Sequence, residues 1–176
     1  MNRQPGEKMR AVHQTVFCLL LAVVLLRGGA AHADPSDALK PLLIALPGWE
    51  SDEVEVLGVK TGVIRTTALQ RAYYQGDAEA TALLIATSRT TIDRKTADLR
   101  AECKGDKASD AKIDGFQVHV FYNTADRIGV VVVILNQGPS RAAMFSLNFD
   151  GIDEVQALDL AKKFDWKKMQ AETVKL

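Results

Sequence analysis

The clearest pattern in this chain is an alternation of apolar and polar residues in its second half. Residues 116–123 (FQVHVFYN) alternate, which is typical of a strand with one buried face. Residues 128–135 (IGVVVVIL) are apolar on both faces and are predicted to form the central strand, and residues 143–149 alternate again. Only short turn-forming stretches separate these runs, so antiparallel pairing is expected.

Two earlier runs predict a β-hairpin. Residues 66–75 are rich in β-forming residues, residues 80–87 (ATALLIAT) are apolar on both faces, and Gly76-Asp77 between them is a turn signal. An extra strand near residues 54–63 is left open. Residues 104–112 are polar and contain a glycine, so they are predicted to form a loop.

Three segments show helical spacing of apolar residues. The first is a leucine stripe that ends at Pro47-Gly48, the second covers residues 91–103, and the third follows Asp150-Gly151. Residues 165–169 continue the third helix or pack after a kink. The stripes are Leu39, Leu42, Leu43 and Leu46; Ile92, Thr96, Leu99 and Cys103; and Ala157, Leu160, Ala161 and Phe164.

These elements predict an α+β fold. Two strands are apolar on both faces, and a sheet that is buried on both faces needs a covering layer on each. The expected architecture is therefore an antiparallel-rich sheet of five to seven strands with helices on both faces, an αβα sandwich.

The layout resembles the PsbP-like fold. Three features carry the resemblance: the leucine-rich helix leading into Pro47-Gly48-Trp49, the hairpin through residues 72–77, and Phe149-Asp150-Gly151 leading into an amphipathic helix. This fold occurs in extrinsic proteins of photosystem II, in a nuclear-transport factor that binds a small GTPase, and in small bacterial envelope proteins. The resemblance implies a scaffold that binds partners, and it implies no catalytic residues.

The N-terminus has the layout of a secretory signal peptide. Basic residues precede the eleven-residue apolar run 16–26, and Ala31-His32-Ala33 forms a cleavage site of small residues. As a helix, the run would rise only about 16 Å, against a hydrocarbon core of about 30 Å, which disfavours the alternative of an uncleaved anchor. The sequence therefore predicts a signal peptide over residues 1–33, cleaved after Ala33, and one α+β domain over residues 34–176. Translation starts at Met1 or Met9.

Charge and cysteine content narrow the class of protein. The full chain has 22 basic and 22 acidic residues, and removal of residues 1–33 leaves a net charge of −3. This balance argues against a nucleic-acid binder that works by neutralising phosphates. After cleavage, no second apolar run approaches the length of a transmembrane segment. A single remaining cysteine provides no disulfide framework, so periplasmic export is favoured over general secretion.

No motif for catalysis, a cofactor or a metal is present. The predicted domain retains one cysteine, Cys103, and one histidine, His119, whereas zinc sites normally draw on several such ligands. A Cys103–His119 dyad is formally possible, but the thiol lies on an apolar helical stripe, where it is expected to be buried. Besides a dyad and a buried thiol, the remaining interpretation is that Cys103 forms a disulfide with a cysteine of another chain. His119 is expected to lie on the less buried face of its strand.

Two clusters of charge are the candidate partner face. The first contains basic residues beside an aromatic side chain, and the second is an acidic stretch. Basic residues next to aromatics suit an acidic partner or an anionic lipid surface; solvated helix and loop surfaces are the plainer interpretations of both clusters. The candidate residues are Lys162, Lys163, Trp166, Lys167 and Lys168, together with Glu50, Asp52 and Glu53.

Two functions remain open. The favoured one is a small periplasmic, non-enzymatic protein that binds another envelope protein as an accessory module, with no cofactor. The alternative is a periplasmic small-ligand-binding protein, or an enzyme whose catalytic residues are only weakly indicated by the sequence. It would need a pocket near His119, with Arg71 and Tyr73 contributing polar groups. The sequence leaves the partner and the oligomeric state undetermined.

Overall fold

The computed structural model describes residues 36–61, 64–88, 106–138 and 141–176. All of them belong to one of the two compact units into which the chain divides, Ala33–Leu176. The predicted signal peptide and the predicted helix over 91–103, including Cys103, lie outside the described residues. No helix in the described ranges is long and apolar enough to cross a membrane.

A single sheet of nine antiparallel strands dominates the described residues. Its order is β1-β4-β5-β9-β8-β7-β6, and β2 and β3 also pair with β4. The strands are β1 (Glu50–Ser51), β2 (Glu55–Val56), β3 (Val59–Thr61), β4 (Ile64–Gln75), β5 (Ala78–Thr87), β6 (Lys107–Ile113), β7 (Phe116–Asn123), β8 (Ile128–Gln137) and β9 (Ala142–Asp150).

Most of the predicted strands are confirmed. The β4–β5 hairpin turns at Gly76-Asp77, and β7 has the predicted bounds. The strand predicted to be central, β8, is interior, but β9 lies at the middle of the order. The loop predicted over 104–112 is wrong, because β6 begins at Lys107. This strand has no buried side chain, so its sequence carries no apolar alternation, and only its pairing with β7 makes it a strand.

Two short α-helices follow the sheet, α1 (Glu154–Ala161) and α2 (Trp166–Thr173). Asp153 caps α1 in a reciprocal capping box with Gln156, and the Asp165 side chain accepts the N–H of Lys168 at the start of α2. The last predicted helix is therefore divided in two by the segment 162–165.

The predicted N-terminal helix is reduced to a short 3₁₀ helix, Lys40–Leu42. Pro41 lies in its first turn and removes a backbone donor, and no side chain caps its N-terminus. The four leucines of the predicted stripe are nevertheless all buried. The periodic pattern thus identified core residues correctly while the element that presents them is not an α-helix.

The predicted αβα sandwich is wrong. Within the described ranges, both α-helices pack on the same face of the sheet, and they are short compared with the strands. We call this face the helical face; its core includes Leu69, Tyr73, Phe145 and Leu147. Apolarity on both faces of a strand establishes that both faces are buried, but not that a helix buries each of them.

The opposite side of the sheet has a smaller apolar core. Its buried side chains come from five adjacent strands, and two partly buried leucines pack against them. We call this side the second face. Its buried residues are Ala68, Ile85, Phe121, Val130, Val132, Ile134, Ala142 and Met144.

Candidate functional site

The corner between α1 and α2 carries the four lysines that the sequence singled out. Lys162 and Lys163 follow α1, whereas Lys167 and Lys168 lie in the first turn of α2, and all four side chains are exposed. Lys162 pairs with Asp159 at 3.2 Å. The other three make no ion pair within the described part of the chain. We call Lys163, Lys167 and Lys168 the lysine face.

Aromatic side chains anchor this corner to the sheet. The ring of Phe164 lies 4.8 Å from that of Phe145 and 6.3 Å from that of Tyr73, measured between centroids. Trp166 packs edge-on against Phe116 at 6.0 Å and is only 4% exposed. Trp166 therefore belongs to the core and is not part of an exposed partner face.

The acidic members of the predicted partner face lie at the edge of the sheet outside β4. Glu50 belongs to β1, and Asp52 and Glu53 follow it; all three are exposed. No ion pair joins them to the four lysines of the corner among the residues that the structure describes. The two predicted clusters are therefore separate surface features.

Tyr74 lies beside these acidic residues at the edge of the sheet. Its hydroxyl donates a hydrogen bond to Asp52 Oδ2 at 3.0 Å. Desolvation raises the pKa of the Tyr74 hydroxyl, and the hydrogen bond to Asp52 and the nearby carboxylates add to this rise. Tyr74 therefore remains a neutral hydrogen-bond donor at physiological pH.

Arg71 on β4 holds the N-terminal segment against the sheet. Its Nη1 donates to the Leu43 carbonyl at 2.9 Å, its Nε to the Asp52 carbonyl at 2.9 Å, and its Nη2 to Ser51 Oγ at 2.8 Å. Its guanidinium also lies 5.8 Å from the centre of the Tyr73 ring. All three nitrogens of the Arg71 guanidinium, Nε, Nη1 and Nη2, donate hydrogen bonds within the chain, so the geometry assigns Arg71 a structural role.

Tyr73, on the helical face, binds the same N-terminal segment at Ile44. Its hydroxyl donates to the Ile44 carbonyl at 2.7 Å, and its ring is fully buried on the helical face. Burial raises the pKa of Tyr73 well above its usual value, although the positive charge of Arg71 opposes the shift. Tyr73 is therefore a neutral core residue.

His119 is remote from Arg71 and Tyr73. It lies on β7, and three strands separate β7 from β4, a distance of about 19 Å at the usual spacing of strands. His119 lies between Val118 and Val120, which belong to the core of the helical face. Because side chains alternate along a strand, His119 lies on the second face. Its Nδ1 lies 2.7 Å from Asp110 Oδ1 on the edge strand β6. The predicted pocket that combines these three residues is therefore not formed.

A wide-mouthed cavity of about 580 Å³ opens at one end of the sheet, beside α2. Four parts of the chain meet there: the β6–β7 turn, the start of β7, the end of β8 and α2. Its lining residues are Asp114, Gly115, Phe116, Gln117, Ile134, Leu135, Asn136, Gln137, Lys167 and Gln170.

The cavity forms because β8 extends beyond β7. Their pairing ends at Gln117 opposite Ile134, and a bulge between Ile134 and Asn136 shifts the register of β8 against β9. The Leu135 carbonyl near this bulge accepts a hydrogen bond from Gln170 Nε2 at 2.6 Å. Sequence reasoning missed this site, because amides and a turn aspartate form no recognisable motif.

Metal ligation has little support in the described ranges. They contain no group of three or more His, Cys, Asp or Glu residues placed to hold a metal ion. Asp153, in the acidic stretch that opens α1, is engaged as a helix cap. The predicted alternative of a Cys103–His119 dyad depends on a residue outside the described ranges.

No family model, no curated protein and no solved structure matches this chain. The resemblance to PsbP-like proteins therefore stays a prediction from sequence.

Proposed function

We propose that this chain is an exported, non-enzymatic accessory protein that binds another envelope protein through its lysine face. The observation that carries the proposal is the presence of three exposed lysines without acidic partners, within the described ranges, on one helical corner. Unpaired charges of one sign favour association with a surface of the opposite sign. The partner surface is accordingly acidic.

The support beneath the lysine face makes it suited to binding. Phe164 in the segment that joins α1 to α2 and Trp166 at the start of α2 are both buried, and Asp165 between them caps α2. A corner fixed in this way loses little backbone freedom when it binds a partner. Three lysine side chains still lose rotamer entropy on binding, so we expect a transient, salt-sensitive complex.

Export to the periplasm is part of the proposal. It rests on the signal-peptide layout of residues 1–33 and on the small-residue site before Asp34. An intact mass of the protein recovered from the periplasm should correspond to a chain that begins at Asp34. A mass that still includes residues 16–26 would contradict export by cleavage.

The test of the function is crosslinking in cells with the tagged protein, followed by mass spectrometry. The double variant Lys163→Glu/Lys168→Glu should lose the main captured partner. Lys112→Glu/Arg127→Glu is the matched control, because it reverses the same number of charges at exposed residues of β6 and of the β7–β8 turn, outside the α1–α2 corner. A lysine introduced at an acidic site of the partner should restore capture by the double variant.

The proposal fails if the double variant folds and captures the same partner as the unmodified chain. It also fails if the control loses the partner to the same extent, since the effect would then reflect net charge. Thermal unfolding of each variant establishes that the comparison is between folded proteins.

A further inference from the structure

The cavity beside α2 presents one positive and one negative side chain that are not paired with each other. Lys167 projects from α2 and Asp114 from the β6–β7 turn, and both line the cavity. Neither makes an ion pair with any group in the described part of the chain, so more than 4.0 Å separates their charged atoms. The cavity therefore offers a cation and an anion at separate points of its rim.

Side-chain amides line the cavity as well as the two charges. Gln117 on β7 and Asn136 at the bulge of β8 line the cavity, and within the described residues neither side chain is engaged in a hydrogen bond. An amide offers both a donor and an acceptor, the pair needed to bind a peptide group or an amino acid. Gln170, by contrast, is already engaged with the Leu135 carbonyl.

One wall of the cavity is apolar and firmly supported. Phe116 lines the cavity, and Trp166 packs edge-on behind it, with an indole Nε1 that is buried without a hydrogen-bond partner among the described residues. Leu135, on the same face of the sheet as Phe116, and Ile134, on the second face, also line the cavity. The volume of about 580 Å³ lies within the range of sites that bind small molecules.

From this arrangement we infer that the cavity binds a small zwitterion that carries an ammonium and a carboxylate, a free amino acid or a short peptide. The carboxylate lies at Lys167 and the ammonium at Asp114, the amides of Gln117 and Asn136 bind the ligand's remaining hydrogen-bonding groups, and an apolar side chain rests on Phe116. This site is distinct from the partner-binding role of the lysine face, although Lys167 contributes to both.

Trp166 provides the readout, since it lies directly behind the cavity wall. A full-length Trp49→Phe protein leaves Trp166 as the only tryptophan. Its fluorescence is titrated with L-leucine and with the tripeptide Gly-Leu-Gly, and isothermal calorimetry checks each result. N-acetyl-leucine amide, which lacks both charges, is the control ligand. Saturation by leucine identifies a free amino acid, and saturation by the tripeptide alone identifies a peptide.

Two substitutions test the charged contacts. Lys167→Gln and Asp114→Asn should each weaken binding at least tenfold. Asparagine is suited to position 114 because the backbone there has φ 51°, a region that asparagine tolerates. Lys40→Gln and Asp77→Asn remove the same charges outside the cavity and should leave the titration unchanged.

The inference is overturned if neither zwitterion gives a saturable signal, or if the uncharged analogue binds as tightly as leucine. Unchanged affinity in both cavity variants would overturn it as well. Its failure is distinguishable from failure of the proposed function, because Lys163→Glu/Lys168→Glu affects partner capture while leaving Asp114 and the amides in place.

Discussion

Gly129 on β8 occupies a position where no larger residue fits. Its cross-strand neighbours are Tyr122 on β7 and Phe149 on β9, whose rings stack at 5.9 Å. A Cβ at position 129 would lie 2.4 Å from the carbonyl oxygen of Phe121 and 2.4 Å from Cζ of Phe149. Non-bonded heavy atoms normally approach to about 3.5–4.0 Å, so Gly129→Ala forces a shift.

The identity of the two obstructing atoms sets the magnitude. The Phe149 ring tip can move, at the expense of its stacking with Tyr122, but the Phe121 oxygen belongs to the backbone of β7, which is paired with β6 on one side and β8 on the other. Overpacking of this kind costs about 1–3 kcal/mol, and the backbone obstacle places Gly129→Ala at about 2–3 kcal/mol. For a domain of this size, that lowers Tm by about 4–12 °C.

Urea unfolding of Gly129→Ala and Gly58→Ala measures the difference. A Cβ added at Gly58 would meet no heavy atom of the described residues within 4 Å, and the backbone there has no left-handed φ. Its substitution should therefore change the free energy of unfolding by about 0.5 kcal/mol or less. Gly129→Ala should remain destabilising in a Phe149→Leu background, because the Phe121 oxygen stays. Equal stability of the two alanine variants would refute the steric reasoning.

Two further predictions concern the cap of α1 and the buried tyrosine. Asp153→Ala should lower the free energy of unfolding by about 1 kcal/mol, since it removes the capping box; Asp159→Ala, later in the same helix, is the control and should have a smaller effect. Tyr73→Phe should cost about 1 kcal/mol by removing the hydrogen bond to Ile44. Because the folded pKa of Tyr73 is raised, its contribution to stability is present below the usual value of 10.0 and is lost as the pH rises above it. Denaturation between pH 8 and 11 should show a weaker alkaline loss in Tyr73→Phe than in Tyr74→Phe, and identical profiles would contradict a buried, neutral Tyr73.

Sequence patterns predicted strand bounds, turns and buried residues best where these depend on a short local segment of the chain. The alternation over residues 116–123 gave the bounds of β7, and the turn at Gly76-Asp77 gave the β4–β5 hairpin. The leucine stripe gave four buried residues even though its helix is only a 3₁₀ turn. In each case a local pattern reports burial directly, because apolar side chains must leave water wherever the chain places them.

The candidate site was less accessible to the same reasoning. The exposed lysines of the corner were visible in the sequence, but the burial of Trp166 depends on Phe116 of a distant strand. The cavity joins Asp114, Asn136 and Lys167 from three elements, and nothing in the sequence indicates that they lie together. The predicted association of His119 with Arg71 fails because adjacency in a sheet follows strand order, which alternation does not encode.

The sequence by itself determined which segments alternate, where the hairpin turns, which leucines are buried and which lysines are charged and exposed. These are local consequences of side-chain polarity and turn chemistry. Only the tertiary structure decided that β6 is a strand, that both described helices cover one face, and that a cavity opens where β8 extends beyond β7. Those features arise from pairing between segments distant in sequence, whose hydrogen bonds are made by the backbone and leave little trace in the order of side chains.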